Sequence, residues 1–356
     1  MPRPRLKDVA RQAGVSTATV SRVVNERPGV SEAARLRVTD ALRQLRWEPA
    51  GLRGSRRARA VGLLVPELTN PIFTAFAQGI ETRLGRSQMM TMLCTSHPEG
   101  VTESDHVEEL LDMGVTTLVF IAGSHCDTEA PDDHALFDEL VRRSVPVITV
   151  NGLVPGIEGV ASVICDDVEA GRLATEHLTR LGHRRIGLAA GDLRYVAAQA
   201  RADGWRKALA ERVMHSTAEV KWDPADTPLT ASPLSEGGYT IRAGRRAGGT
   251  LLDQGVTGIV AASDLIALGV LQAARMRGLR IPNDLSIVGY DDSLLMPHMN
   301  PPLTTVRQPV GDMCRVIADL CVQSGRGQPL PTTEVVFQAE LIARETTAPA
   351  PQLSQV

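Results

Sequence analysis

In the stretch Leu6-Lys-Asp-Val-Ala-Arg-Gln-Ala-Gly-Val-Ser-Thr-Ala-Thr-Val-Ser-Arg-Val-Val-Asn25 the first apolar residues fall at Leu6, Val9, Ala10 and Ala13. That is the spacing of one helix face, and Gly14-Val15 interrupts it with a turn. Ser16 is placed to cap a second short helix with Val20, Val23 and Val24 inward, which Asn25 and then Pro28-Gly29 bring to an end. A third helix is expected behind Ser31 as N-cap, with Glu32 in its first turn and Ala34, Val38, Ala41, Leu42 and Leu45 inward. Three short helices over 1–46 make a minimal all-α helix-turn-helix domain. A three-helix protein-interaction module is the competing reading of the same pattern.

In a helix-turn-helix domain the second helix lies in the major groove, with its early residues facing base edges. Thr17, Ala18 and Arg22 are then the expected base readers: Arg22 offers a bidentate fork to a guanine, and the methyl groups of Thr17 and Ala18 can meet thymine methyls. Ser16, Thr19, Ser21, Asn25 and Ser31 are placed for phosphate oxygens, which fix position without reading sequence. Charge agrees with this. The chain of 356 residues has a net charge of −3, but residues 1–59 hold fourteen Lys and Arg against five Asp and Glu, leaving 24 against 36 for the rest. A basic head on an acidic body suits a polyanion partner; a solvated charged face is the alternative.

The quoted stretch resembles the headpiece signature of the lactose/galactose repressor family of bacterial transcription regulators. The resemblance implies a homodimer that binds pseudo-palindromic operator DNA. It also implies a hinge helix after the headpiece that inserts a leucine into the minor groove, and here the sequence departs from the pattern. The linker 47–60 reads Pro49-Ala-Gly-Leu-Arg-Gly-Ser-Arg-Arg-Ala-Arg59, with Arg56 where the leucine would stand and with Gly51 and Gly54 each costing about 1 kcal/mol of helix propensity relative to Ala. Arg46, Arg53, Arg56, Arg57 and Arg59 suit flanking phosphates or a narrow minor groove, so Arg53 and Arg56 are expected DNA contacts, and the linker is expected to be disordered off DNA and to add salt-dependent affinity more than a kink.

From Ala60 onward strand-length apolar runs alternate with helical stretches. Strands are predicted at Val61–Val65, Thr91–Cys94, Thr117–Ile121, Val145–Val150, Ile186–Ala189, Gly258–Ala261 and Ser286–Gly289, with seven helices between 72 and 276. Such alternation means parallel sheets covered by helices on both faces, and nearly 290 residues suggest two lobes. The resemblance continues through Glu67-Leu-Thr-Asn-Pro-Ile-Phe73, Arg201-Ala-Asp-Gly-Trp205, Ala262-Ser-Asp-Leu-Ile-Ala-Leu-Gly269 and Gly289-Tyr-Asp-Asp292. It implies a periplasmic-binding-protein-like α/β core of doubly wound parallel sheets over 61–345, with an effector between the lobes. The N-lobe would hold about 61–159 and 293–323 and the C-lobe about 160–292 and 324–345, so that the chain crosses near 160, 292 and 323. The tail 346–356, without leucine heptads, is expected to be disordered and to leave the protein a dimer.

Ligands of open α/β sheets bind outside the carboxyl ends of the strands. Asn70, Phe73, Ser124, Asn151, Tyr195, Arg201, Ser263 and Asp291 all follow predicted strands and are the candidate effector contacts. Arg201 and Asp291 lead, because a guanidinium and a carboxylate facing one cleft can grip hydroxyls, while Phe73 or Trp205 offers an apolar face to a sugar ring or base. Each has a structural alternative: Asn70 and Asp264 as helix caps, Trp205 as core, Arg201 with Asp291 as a salt bridge between loops. The resemblance puts an acidic residue where this chain has Asn151 and an asparagine where it has Ser263.

The effector is expected to be a sugar or related metabolite. The chain lacks a phosphate-binding Gly-x-x-x-x-Gly-Lys-Ser/Thr loop, a Gly-x-Ser-x-Gly elbow, a His-Glu-x-x-His pair and a Gly-x-Gly-x-x-Gly turn, so neither an enzyme such as a sugar kinase nor a cofactor is expected. The five cysteines are scattered, which predicts reduced core thiols and no metal site. The first residues, Met-Pro-Arg-Pro-Arg-Leu-Lys, are not the apolar segment of a signal peptide, and no apolar run reaches eighteen residues. The expected location is the cytoplasm, associated with the nucleoid, with no membrane partner.

Overall fold

The computed structural model describes residues 6–24, 29–45, 60–96, 100–130, 133–154, 156–214 and 233–351. Asn25, Arg53, Arg56 and nearly all of the linker 47–60 lie outside the described residues. The chain forms two compact units that divide after Ala60.

The N-terminal unit consists of α1 (Leu6–Ala13), α2 (Thr17–Val24) and α3 (Glu32–Gln44). Among the described residues its core is alanine and valine: Val9, Ala10, Ala13, Val20, Val23, Val38 and Ala41 are buried, with Val15, Val30, Leu42 and Leu45 packed around them. Gly14 adopts φ +62°, a conformation that glycine enters without steric cost, and turns α1 into α2.

The second unit holds two six-stranded sheets. The first is made by β1 (Ala60–Val65), β2 (Met90–Thr95), β3 (Thr117–Ile121), β4 (Val147–Val150) and β5 (Val160–Cys165), with α4 (Pro71–Arg86), α5 (Glu103–Asp112) and α6 (Asp133–Arg142) between them. After α7 (Asp167–Arg180) the second sheet begins, with β6 (Ile186–Gly191), α8 (Val196–Met214), β7 (Leu234–Glu236), α9 (Ile241–Asp253), β8 (Gly258–Ala261), α10 (Asp264–Met276), β9 (Ser286–Asp291) and β10 (Thr304–Arg307). The chain then adds α11 (Val310–Gly325) and β11 (Thr333–Phe337) to the first lobe and β12 (Glu340–Ile342) to the second.

The strand orders are β11-β5-β4-β3-β1-β2 and β12-β10-β9-β8-β6-β7. The registered pairs are parallel except β10 with β12, which is antiparallel. Strands such as β1, β3 and β4 are buried along their whole length, as sheets covered on both faces require. In the second lobe alternate residues of one strand serve opposite faces. Ile259 and Ala261 pack with α9 and α10, while Val260 packs with α7 and α8. The expected architecture, a helical headpiece and a two-lobed α/β core, is therefore the observed one.

The crossings differ from the expected boundaries. The chain passes between lobes at Asp166, after β5, at Gln308–Pro309, after β10, and at Gln338–Ala339, after β11, instead of near 160, 292 and 323. The cause is twofold: β10 and β11 (Thr-Thr-Val-Arg and Thr-Glu-Val-Val-Phe) carry threonine and charge in place of an apolar run, while the expected boundary at 160 falls before the apolar strand β5 and that at 323 falls inside α11. The tail also departs from its expectation as far as it is described. Thr346 is fully buried, its Oγ1 donating to Ile287 O at 2.7 Å and accepting from Thr304 N at 2.8 Å, and Ala350 N donates to Leu181 O at 2.8 Å. Ala348 N also donates to Ser286 Oγ at 3.1 Å and Ile287 N to Thr346 O at 2.9 Å, and these bonds to the second lobe order the segment without any apolar patterning.

Four of the five cysteines are buried, Cys94 is half-buried, and all are free thiols. No helix among the described residues is long and apolar enough to cross a membrane. Among those residues no group of three His, Cys, Asp or Glu is placed to hold a metal ion.

Candidate functional sites

The headpiece presents its candidate base readers to solvent. On α2, Thr17, Ala18 and Arg22 are exposed, and Thr19 and Ser21 are half-buried. Residues 18 and 22 stand one turn apart on a face opposite Val20 and Val23, so the apolar periodicity that builds the core also clears the outer face. Ser16 caps α2, its Oγ accepting from Thr19 N at 3.1 Å, and Ser31 opens α3 in the same way, accepting from Ala34 N at 3.4 Å.

In the second unit a cavity of about 280 Å³ is lined from both lobes. The first lobe contributes Ala122 and Asn151, directly after β3 and β4, and Asn70, Phe73 and Cys126 from the segments that follow β1 and β3. Asn70 is at once wall and cap, its Oδ1 accepting from Ile72 N at 3.3 Å. Three non-glycine residues facing the cleft have left-handed backbone: Ala122 (φ +48°), Asn151 (φ +64°) and Asp291 (φ +112°). Such conformations persist only where the surroundings enforce them, and they mark this ring of strand ends as a built site.

Ser124, expected among the contacts, does not line the cleft. Its N–H and Oγ donate to the buried carboxylate of Glu103, the latter at 2.5 Å, and Cys126 faces the cavity two residues further on. A buried acid that needs donors draws the serine into the first lobe.

The floor is supplied mainly by the second lobe. Arg201 and Asp291 both line the cleft, but they are not each other's partner. Arg201 Nη1 meets Asp167 Oδ1 at 2.5 Å, its Nη2 donates to the Tyr239 hydroxyl at 3.0 Å, and the guanidinium lies 4.4 Å over the Tyr290 ring. Tyr290 donates to Asp167 at 2.8 Å, while Asp291 accepts from Gln308 Nε2 at 2.8 Å. Two glycines bring Arg201 and Asp167 together: a Cβ on Gly171 would stand 2.1 Å from Arg201 O and one on Gly204 1.9 Å from Val168 O, so α7 and α8 cross backbone against backbone.

Burial sets the protonation of this floor. It pushes the Asp167 carboxyl above its ordinary value against the pull of Arg201. Burial, with Asp264 next in effect, holds Asp291 well above its ordinary value. Asp264, pushed up to about 6 by burial, accepts from Ser293 N and Oγ at 2.7 Å each and from Thr305 Oγ1 at 2.8 Å. It is therefore no helix cap. Ser263 caps α10 instead, accepting from Ile266 N at 3.3 Å, and Trp205 is core. Four buried polar atoms of the cleft residues have no hydrogen-bond partner: Asn151 Oδ1, Arg194 Nε, Arg201 Nε and Gln308 Oε1.

The rim joins the lobes. Thr128 N and Oγ1 both donate to Arg194 O at 2.8 Å, and Asp127 pairs with Tyr195 as an antiparallel bridge. The Arg194 guanidinium donates to the Tyr195 hydroxyl at 2.8 Å and approaches Asp192 at 3.3 Å and Asp127 at 3.6 Å. Asp167, Asp192, Arg194, Tyr239, Tyr290 and Gln308 are cleft residues that the strand-end reading missed. Tyr290 precedes a residue already singled out. The only other signal was the small residue on each of two facing helices.

Residues 5–50 match the model of bacterial regulatory proteins, lacI family, and residues 175–347 match that of the periplasmic binding protein-like domain. An uncharacterised HTH-type transcriptional regulator in the aml 5′ region of Streptomyces limosus is 45% identical, over 97% of this chain and 95% of its own. The structure of the lac repressor dimer bound to operator and the anti-inducer ONPF aligns with a TM-score of 0.75 at 28% identity, over 98% of this chain and all of that one. A complex of the transcriptional regulator CelR with cellobiose aligns at 0.68 with 32% identity, over 97% and 100%. The chain belongs to the lacI family of bacterial regulatory proteins. It is a DNA-binding transcription regulator with a small-molecule sensor domain, and not an enzyme.

Proposed function

We propose that this chain is a repressor that acts as a homodimer on a pseudo-palindromic operator, in the cytoplasm and on the nucleoid, and that a carbohydrate held between the lobes changes its operator affinity. The observation that carries the sensor half is the set of buried atoms without a hydrogen-bond partner on Asn151, Arg194, Arg201 and Gln308, two acceptors and two donors in one cleft. Hydroxyls supply both kinds of partner. The cellobiose complex of CelR and the operator-bound lac repressor dimer support the same reading.

Asn70, Phe73, Asn151, Tyr195, Arg201, Ser263 and Asp291 are the effector contacts of this reading, joined by Tyr239 and Gln308. Ser124 is not among them. Thr17, Ala18 and Arg22 read bases, and Ser16, Thr19, Ser21, Asn25, Ser31, Arg53 and Arg56 hold phosphates. Effector binding favours one closure of the lobes, and closure changes the spacing of the two headpieces; the coupling is on the order of 1–3 kcal/mol and works in both directions.

Selection of binding sites from a random duplex pool tests this. The full-length protein should enrich an inverted repeat, and Arg22→Ala should lose base preference at one position of each half-site, about 1–3 kcal/mol of discrimination. A pool that enriches no inverted repeat at moderate salt, with or without sugars, overturns the reading.

A further inference from the structure

We infer that the two lobes are latched at the mouth of the cleft by the chain's own bonds, Asp127-Thr128 of the first lobe to Arg194-Tyr195 of the second, and that this latch sets operator affinity before any effector arrives. The inference rests on the lobe-closure reading above and adds the bonds that decide which closure the chain adopts.

The chain itself ties the lobes at the crossings Asp166, Gln308–Pro309 and Gln338–Ala339, and away from these points the lobes also bond directly. Thr128 N and Oγ1 both donate to Arg194 O at 2.8 Å, and Gln199 Nε2 donates to Thr128 Oγ1 at 3.4 Å. Arg194 carries its charge between Asp192 of its own lobe and Asp127 of the other. In an antiparallel pairing, a bond from the residue after one partner to the residue before the other marks a non-hydrogen-bonded pair. Asp127 and Tyr195 are such a pair, which places their Cα atoms about 4.5 Å apart. The lobes thus share a single rung of sheet, beside the cavity that Cys126, Arg194 and Tyr195 line.

Both halves of the rung are shaped within their own lobes. On the first, Asp127 N donates to Ser124 O at 2.8 Å, while His125 Nε2 and Cys126 Sγ reach the carbonyls of Val150 and Asn151, each at 3.3 Å. The same turn lies against the buried Glu103, since a Cβ on Gly123 would stand 2.1 Å from Glu103 Oε1. On the second, Arg194 N donates to Asp192 Oδ1 at 3.1 Å and Gln199 Nε2 to Leu193 O at 2.7 Å. Segments ordered in advance lose little freedom on pairing. The bonds between them are nonetheless weak: Thr128 and Gln199 are exposed, and water competes for their partners and screens the charge of Arg194. Prearranged halves joined by weak bonds give two closures of comparable free energy, the condition under which a small differential interaction shifts a population.

A disulfide in place of the rung tests the latch. The Cα separation falls within the range that a disulfide spans, so the full-length Asp127→Cys/Tyr195→Cys protein should close an intramolecular bridge with diamide and reopen it with dithiothreitol. A second protein, Thr128→Val/Gln199→Leu, keeps the backbone bond and removes the side-chain ones. Amide exchange and operator binding are measured on both without effector, the operator being the inverted repeat that the parent chain selects. The oxidised protein should exchange more slowly than its reduced form around Tyr239 and Asp291, and the loosened protein faster than the parent. Oxidation should change operator affinity about five-fold or more, reversibly, and loosening should change it in the opposite direction. A bridge that closes only in denaturant, equal cleft exchange in all forms, or affinity shifts of the same sign would overturn the latch and leave the repressor reading standing. Cleft exchange that follows the latch at constant operator affinity overturns the coupling of closure to DNA, here and in the reading above. If no inverted repeat is selected, that reading falls, and the exchange measurements still decide whether the latch exists.

Discussion

In the headpiece the side chains proposed to contact DNA stand in water above a core of alanine and valine, whereas in the sensor unit Arg201 and Asp167, and Asp291 and Gln308, are buried and already bonded in pairs. Phosphates are charged and base edges are polar, and both are well hydrated, so exposed groups such as Arg22 lose little by waiting in solvent. A small neutral ligand offers no such field, and its receptor must hold polar groups in place before it arrives, since only groups already ordered and desolvated bind it without a large entropic loss. The headpiece therefore keeps its stability apart from its function, and the sensor does not.

The largest expected effect follows from that contrast. Arg201→Ala leaves Asp167 buried without its cation, and breaking a buried pair in this way costs about 3–5 kcal/mol. Denaturant melts should show the loss together with an abolished effector response, while operator binding without effector persists at low temperature. The deficit should shrink as pH falls, because a protonated Asp167, already raised by its burial, needs no cation. A variant of full stability would break the contrast.

A smaller effect is expected at Gly204→Ala. The added methyl meets Val168 O and pushes α7 from α8, at a cost of about 1–3 kcal/mol, and the displaced Arg201 should weaken effector binding as well. Guanidinium melts and calorimetry read the two losses, and their appearance together sharpens the claim that sensor stability and sensing share residues.

The smallest belongs to the headpiece. Ser16→Ala removes the cap of α2 and should cost about 1 kcal/mol, seen as faster amide exchange in α1–α3 and no change in exchange or sugar binding in the second unit. A change that reached the sensor would blur the distinction between the units.

Legibility followed the range of the interactions. The headpiece helices could be read because turn, caps and apolar face lie within 45 consecutive residues, and the buried strands β1, β3, β4, β6, β8 and β9 because sheets covered on both faces demand unbroken apolar runs. The helix α11 carries the same kind of signal, with Met313, Cys314, Ile317 and Cys321 at helical spacing, and the expected lobe boundary at 323 falls inside it. The strands β10 and β11 give a poorer one, and β5, though apolar, lies past the expected crossing at 160, so the three crossings stand elsewhere than expected.

Pattern and charge along the chain were enough to determine a basic helical head, an acidic α/β body and the strand ends where a ligand would sit, because periodicity and local turns are properties of neighbouring residues. Which acid answers Arg201, that Ser124 turns away to Glu103, and that three scattered tyrosines meet in one cavity were decided by the tertiary structure alone. Those pairings join residues up to 123 positions apart, as Tyr290 and Asp167 are, and depend on how closely two helices cross and which lobe each strand joins.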